Sequence, residues 1–140
     1  MHRQILCSLL LLASLTVAAC GGDDEPTTPT GPTGPATVTA VFTGTLNRQG
    51  ANTHPFTTDG GTVTATLTTV APDSATVLGL SLGTWNGVSC QTVIANDRAV
   101  QGVTVIGGAT GSGNLCVRLY DIGNISQETS YEVTVVHPQK

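Results

Sequence analysis

Side chains able to do chemistry are few in this chain, and their spacing assembles no catalytic set. The histidines are His2, His54 and His137. No serine sits in a Gly-x-Ser-x-Gly elbow and no His-Glu-x-x-His pair occurs, so neither a triad hydrolase nor a zinc protease is written here. Gly111-Ser112-Gly113 lacks the lysine and the strand-to-helix setting of a phosphate loop. His54 and Asp59 flank a predicted turn, but they are two ligands where zinc needs three or four. His54 reads better as a solvated loop residue, and His137 as part of a frayed tail. Asp97, Asp121 and Glu128 fall in predicted loops and are the candidate calcium ligands, since calcium takes loop oxygens. Without a clustered loop motif, dispersed surface acids are the better account. The expectation is a protein that is not an enzyme and carries no metal cofactor.

Chemistry of recognition is better represented. Trp85 is the sole tryptophan and lies in the turn-like Gly83-Thr84-Trp85-Asn86-Gly87. On a turn its flat face stacks on a sugar ring; on general burial grounds it caps the core instead, and that reading is favoured. Tyr120 and Asp121 close a predicted strand and are further ligand-contact candidates.

The remaining reactive groups are thiols, and their placement decides the compartment. Arg3 precedes an apolar run from Ile5 to Ala19, broken by Cys7, Ser8, Ser14 and Thr16. That run is short for a span of ~30 Å of hydrocarbon and has the form of a signal peptide. Val17-Ala18-Ala19-Cys20 resembles the lipobox of bacterial lipoproteins. The resemblance implies cleavage before Cys20, loss of Cys7 with the signal at 1–19, and a thioether-linked diacylglycerol on Cys20, often with a third chain on its amine. Burying acyl chain is worth ~0.8 kcal/mol per CH₂, and two or three chains make a stable anchor where one does not. Gly21 rather than aspartate follows, which in that family implies outer-membrane export where a cell has two membranes.

Residues 21–36 then change composition. Gly21-Gly22 and an acidic cluster at 23–25 lead into Pro26, Pro29, Pro32 and Pro35. Proline at every third position favours polyproline II, which carries this stretch roughly 50 Å at full extension. The expected organisation is a signal peptide at 1–19, a lipidated cysteine and disordered spacer at 20–36, and one domain at 37–140.

That domain is of single-sandwich size, and four basic residues (Arg48, Arg98, Arg118, Lys140) face six acidic ones. With no basic patch and a formal net charge of −4 for the chain, nucleic-acid binding is excluded as a reading. Its periodicity is two. Residues 37–46 alternate, as do 62–68 with Val63, Ala65 and Leu67 on one face. Leu78, Leu80 and Leu82 share a face, as do Leu115, Val117 and Leu119, and Tyr131, Val133 and Val135. Such alternation of β-branched residues predicts half-buried antiparallel strands. Turn residues divide them at 59–61, 72–74, 85–87, 96–97, 107–108, 111–114 and 123–124. The expected fold is all-β, a single antiparallel sandwich of about eight strands, jelly-roll-like.

In an oxidising compartment the two remaining cysteines, Cys90 and Cys116, are expected to pair. Strand parity puts Cys116 opposite Leu115, Val117 and Leu119, so the bridge staples an outer face or an edge and is worth ~3 kcal/mol through chain entropy.

Gly113-Asn114-Leu115-Cys116-Val117-Arg118-Leu119-Tyr120-Asp121 and Ser130-Tyr131-Glu132-Val133-Thr134-Val135 are similar to the last strands of the bacterial pre-peptidase C-terminal domain. Phe42-Thr43-Gly44-Thr45-Leu46 resembles its first strand, and Phe56 to Thr64 its aromatic strand and glycine turn. The likeness spans about residues 41–136. It implies a β-sandwich accompanying secreted hydrolases, with some members binding polysaccharide or calcium. Here His54-Pro55 precedes Phe56 where the family carries an acid, which undercuts a cation site depending on that acid. The expected role is a membrane-anchored binding or adhesion lipoprotein for envelope polysaccharide or protein. The competing role is a structural envelope lipoprotein or an accessory subunit of a secreted assembly. The oligomeric state is left open. Cys20→Ser is expected to abolish incorporation of labelled fatty acid; labelling that survives the substitution contradicts the lipobox reading.

Overall fold

A computed structural model describes Gly31 and residues 34–139; the signal segment, Cys20 and most of the spacer lie outside the described residues. Eight strands follow one another: β1 (Thr37–Leu46), β2 (Ala51–Thr58), β3 (Gly61–Ala71), β4 (Leu78–Trp85), β5 (Cys90–Ala99), β6 (Thr104–Ala109), β7 (Gly113–Tyr120) and β8 (Thr129–Pro138). They form two four-stranded antiparallel sheets in the orders β1-β8-β3-β6 and β2-β7-β4-β5. This interleaving is that of a jelly roll, and the expected sandwich stands.

The core follows from the period-two pattern. In the first sheet Leu67 pairs with Val133 and Ala65 with Val135, all fully buried. In the second, Leu80 pairs with Leu119 and Leu82 with Val117, buried against them. Shifting any of these strands by one residue turns its outward residues inward and its aliphatics to water, so burial itself fixes the register.

Two predicted turns are strand interior. Asn96-Asp97 lies inside β5, where pairing skips from Leu80↔Asn96 to Leu78↔Ala99. Asn96 Oδ1 accepts from the Arg98 N–H at 2.8 Å, so turn chemistry here makes a bulge instead of a reversal. Gly107-Gly108 lies inside β6, paired with Val63 and Thr62. The reversals on either side of these segments occur elsewhere, because the ladder partners outweigh local preference.

The two sheets share two open sides, and they are treated differently. Along one, β1 and β2 meet, and the inward-facing residues of β2 close the gap in sequence. Asn52 Nδ2 donates to Thr45 O at 2.8 Å. His54 Nε2 and Tyr131 Oη are hydrogen-bonded at 2.7 Å, and the imidazole stacks on Phe42 with centroids 5.0 Å apart. Phe56 lies against the His137 ring at 4.9 Å. Thr58 Oγ1 is buried and within 3.1 Å of Pro138 O. Gly44 makes room for this: a Cβ there would sit 2.5 Å from Tyr131 Oη.

This seam corrects the reading of both histidines. His54 is a strand residue facing inward, not a solvated loop residue. His137 is 5% exposed within β8, paired with Val38, not part of a frayed tail. Asp59 accepts from Ser112 Oγ at 2.5 Å, while His54 is bonded to Tyr131, so they form no metal pair.

Burial pushes the His54 imidazole below its ordinary 6.5. Between that lowered value and 6.5 the unfolded chain binds more protons than the folded one, so stability rises with pH there. The melting temperature is expected to fall as pH drops from 6.5 through the folded value, and His54→Phe should flatten that fall. An equal fall in the variant contradicts the role given to the seam.

Candidate functional site

The outer face of the second sheet collects most of the sequence candidates. Strand pairing places residues on it in rows: Thr57 beside Asn114, then Pro55–Cys116–Gly83, Thr53–Arg118–Ser81 and Ala51–Tyr120–Gly79. Trp85 follows Gly83 along β4 with the same parity. It therefore belongs to this outer face, half-buried and outside the core cluster, which corrects the core-cap reading.

Trp85 forms one wall of an open cleft of about 490 Å³ lined by Pro55, Phe56, Thr57, Asn86, Gly87 and Asn114. The loop after β4 holds its shape through Asn86. Its Oδ1 accepts from the N–H groups of Val88 at 2.9 Å and Ser89 at 2.8 Å, and Gly87 takes φ 94° in the left-handed region. Ser89 Oγ is tied in turn by Gln91 Nε2 at 3.0 Å. The tip residue Val88 is 86% exposed. No ionisable side chain lines the cleft.

The floor is fixed by the disulfide. Cys90 and Cys116 are bonded, with Cα atoms 5.8 Å apart. They lie on β5 and β7, which are separated by β4. Strands two apart in a flat sheet stand roughly 9–10 Å from each other. The start of β5 must therefore lean over β4, and it does so at Gly83, where a Cβ would meet Gln91 O at 2.1 Å. The pairing of β4 with β5 shifts register at the same place, between Leu82 and Gly83. The pairing and outer-face position match the sequence expectation, and the geometry adds that the bridge spans a strand.

Further along the face, Tyr120 lies over Gly79, where a Cβ would come within 2.2 Å of its ring. Its hydroxyl donates to Asp97 Oδ1, and Arg118 sits 5.0 Å from its ring centroid. Burial and the Asp97 carboxylate push the phenol up to about 12, so it remains a donor at physiological pH. Trp85 and Tyr120 share a face but stand several rows apart, roughly 20 Å along β7. They do not form one contact site.

Asp121 serves the fold. Its Oδ1 accepts from the N–H groups of Gly123, Asn124 and Ile125 at 2.8, 2.9 and 3.1 Å, and its Oδ2 from Gln49 N–H at 2.8 Å. Burial acts to raise its pKa, but these four donors outweigh it and hold the carboxyl below its ordinary value. The three calcium candidates are dispersed: Asp97 lies in β5 against Tyr120, Asp121 caps backbone, and Glu128 is exposed in a loop. Among the described residues no three His, Cys, Asp or Glu side chains gather at metal-binding distance.

Sequence reasoning did not find Pro55, Thr57, Asn86 or Asn114 around Trp85. Parity along each strand was readable, but which β2 residue faces which β7 residue was not.

No family model matches the chain, and no curated protein matches it. Solved structures share its fold, among them the following two. The Yersinia pseudotuberculosis-derived mitogen aligns with a TM-score of 0.55 at 18% identity, over 76% of this chain and 89% of that one. Aeromonas hydrophila PliG, a periplasmic inhibitor of g-type lysozyme, aligns with a TM-score of 0.50 at 15% identity, over 72% and 86%.

Gly83→Ala is expected to force β5 off β4 and cost about 1–3 kcal/mol, lowering the melting temperature by roughly 4 °C or more. Gly108→Ala, where nothing lies within 4 Å, should leave it unchanged. Equal melting of the two variants contradicts the account of the disulfide.

Proposed function

We propose that this is an exported, lipid-anchored, non-catalytic binding module that holds a neutral sugar unit of envelope polysaccharide in the Trp85 cleft. The observation that carries the reading is the cleft itself: a half-exposed indole on a cross-linked floor, rimmed by amide and hydroxyl groups and without a charge. The indole offers an apolar face to the C–H face of a sugar ring. Asn86, Asn114 and Thr57 offer donors and acceptors for its hydroxyls. The size falls in the range of small-ligand pockets, about 300–1,000 Å³. The lack of a basic residue disfavours phosphorylated or strongly anionic glycans.

Export is supported by the lipobox-like Val17-Ala18-Ala19-Cys20 and by the Cys90–Cys116 disulfide, which belongs to an oxidising compartment. In this reading Cys20 carries the lipid and the proline-spaced segment holds the domain off the membrane. Kinship with pre-peptidase C-terminal domains is part of the proposal; the jelly-roll sandwich and the placement of the matching residues on β7 and β8 support it.

A protein partner is the second reading. It is favoured by the stiffened loop at Asn86–Ser89, which projects Val88, and by the shared fold with a lysozyme inhibitor. The reading as a structural or accessory lipoprotein belongs with it.

Titration with soluble peptidoglycan fragments and neutral oligosaccharides should change Trp85 fluorescence saturably, and Trp85→Ala should abolish retention on envelope glycan. No fluorescence response, together with capture of a defined protein lost in Val88→Asp, decides for the second reading.

A further inference from the structure

On the second open side of the sandwich β5 and β6 are the outermost strands, and among the described residues no side-chain hydrogen bond joins them as β2 is joined to the opposite sheet. We propose that β5 is a self-association edge, pairing antiparallel with β5 of a second copy of this chain. Two separate features meet there. The first is the strand edge. Residues 91–95, Gln-Thr-Val-Ile-Ala, are all exposed, and 90–96 hold no charge and no proline. Edge strands are ordinarily blunted by lysine, proline or inward-pointing charge, because their unpaired N–H and C=O groups template another strand. Residues 90–96 carry none of these; the charges of β5, Asp97 and Arg98, stand beyond that stretch at its second bulge, and the bulge within it leaves Val93 displaced from the ladder. The second is an apolar groove of about 70 Å³ between the two edges, lined among others by Leu82, Leu115, Ile94 and Gly107. It has room for one small aliphatic side chain. An unpaired edge beside an apolar dimple is the arrangement of strand addition, where main-chain bonds give affinity and the dimple gives specificity.

The occupant is argued from β5 itself. Val93 is 75% exposed and Ile94 41% exposed, and both stand on the rim of the groove. Val93 is the residue left over where the register slips between Leu82↔Ile94 and Gly83↔Thr92. The strand thus presents a groove and, on its rim, a displaced aliphatic side chain of a size to enter the groove of a second copy. A two-fold axis through such an edge satisfies both copies at once. Two uncharged 90–96 stretches also meet without the repulsion that like-charged ones suffer. β6 is a poorer edge, at six residues with two consecutive glycines. Pairing through β5 makes one continuous eight-stranded sheet, with both Trp85 faces on the same side. That places two binding clefts on one surface, which favours a repetitive ligand by raising effective concentration.

The full chain, extracted in detergent, is expected to give a dimer by native mass spectrometry. Val93→Lys, at an exposed position, should weaken the dimer at least tenfold while an unchanged circular-dichroism spectrum shows that the fold is kept. Ile106→Lys, 59% exposed on β6, should leave the dimer intact. A monomeric wild type overturns the proposal, as does a dimer that survives Val93→Lys. So does a co-purifying foreign chain that Val93→Lys removes, which would assign the edge to another protein. Trp85→Ala should leave the oligomeric state unchanged, so failure of the glycan reading does not touch this one.

Discussion

Everything in this domain depends on two sheets being closed along one side by the inward row of a single strand. β2 contributes Asn52, His54, Phe56 and Thr58 at alternate positions, and each touches the opposite sheet. Aliphatic burial brings two sheets together, but it is non-directional and does not fix their lateral offset. Hydrogen bonds to Thr45, Tyr131 and Pro138 do, because each has a preferred length and direction. The imidazole suits this position: it stacks on Phe42 and bonds Tyr131 with its edge, which no aliphatic residue does. The dependence is mutual. Tyr131 reaches His54 because Gly44, its partner in the ladder, has no side chain.

The same device recurs across the second sheet. Gly79 lies under the Tyr120 ring, and Gly83 lies under the start of β5. A missing side chain on one strand lets a neighbour cross it. At Gly79 the result is a phenol fixed by Asp97 and Arg118. At Gly83 the result is a disulfide between strands that are not neighbours, and it stiffens the floor beside Trp85. In the proposed binding role such stiffness helps, since ordering loops on binding costs affinity.

The distribution of chemistry suits holding more than reacting. Titratable groups with displaced pKa values are engaged in the fold: His54 in the seam, Tyr120 with Asp97, Asp121 on four amides. The apolar and amide groups, by contrast, are the ones left accessible, at the Trp85 cleft and along β5. Tied by side-chain hydrogen bonds beside β1 and β2 and, among the described residues, by none between β5 and β6, the two sides of the sandwich are closed differently.

Period-two alternation in 37–46, 62–68 and 131–135 determined the strands, their buried faces and the all-β class, because side-chain parity is a local property of the chain. Two cysteines in a chain with an export-like start determined the pairing, and parity even put Cys116 on the outer face. What local pattern cannot carry is which strand lies beside which, and with what offset. Asn96-Asp97 and Gly107-Gly108 read as turns because turn propensity is local, while the ladder that straightens them is not. His54 and His137 read as solvated because their partners, Tyr131 and Phe56, stand about eighty residues away in sequence. The cleft around Trp85 is likewise drawn from three strands and a loop, and the register that joins Thr57 to Asn114 is set by burial across the whole sheet. Only the tertiary structure decided it, since a site made by long-range pairing leaves no signature in any one of the segments that build it.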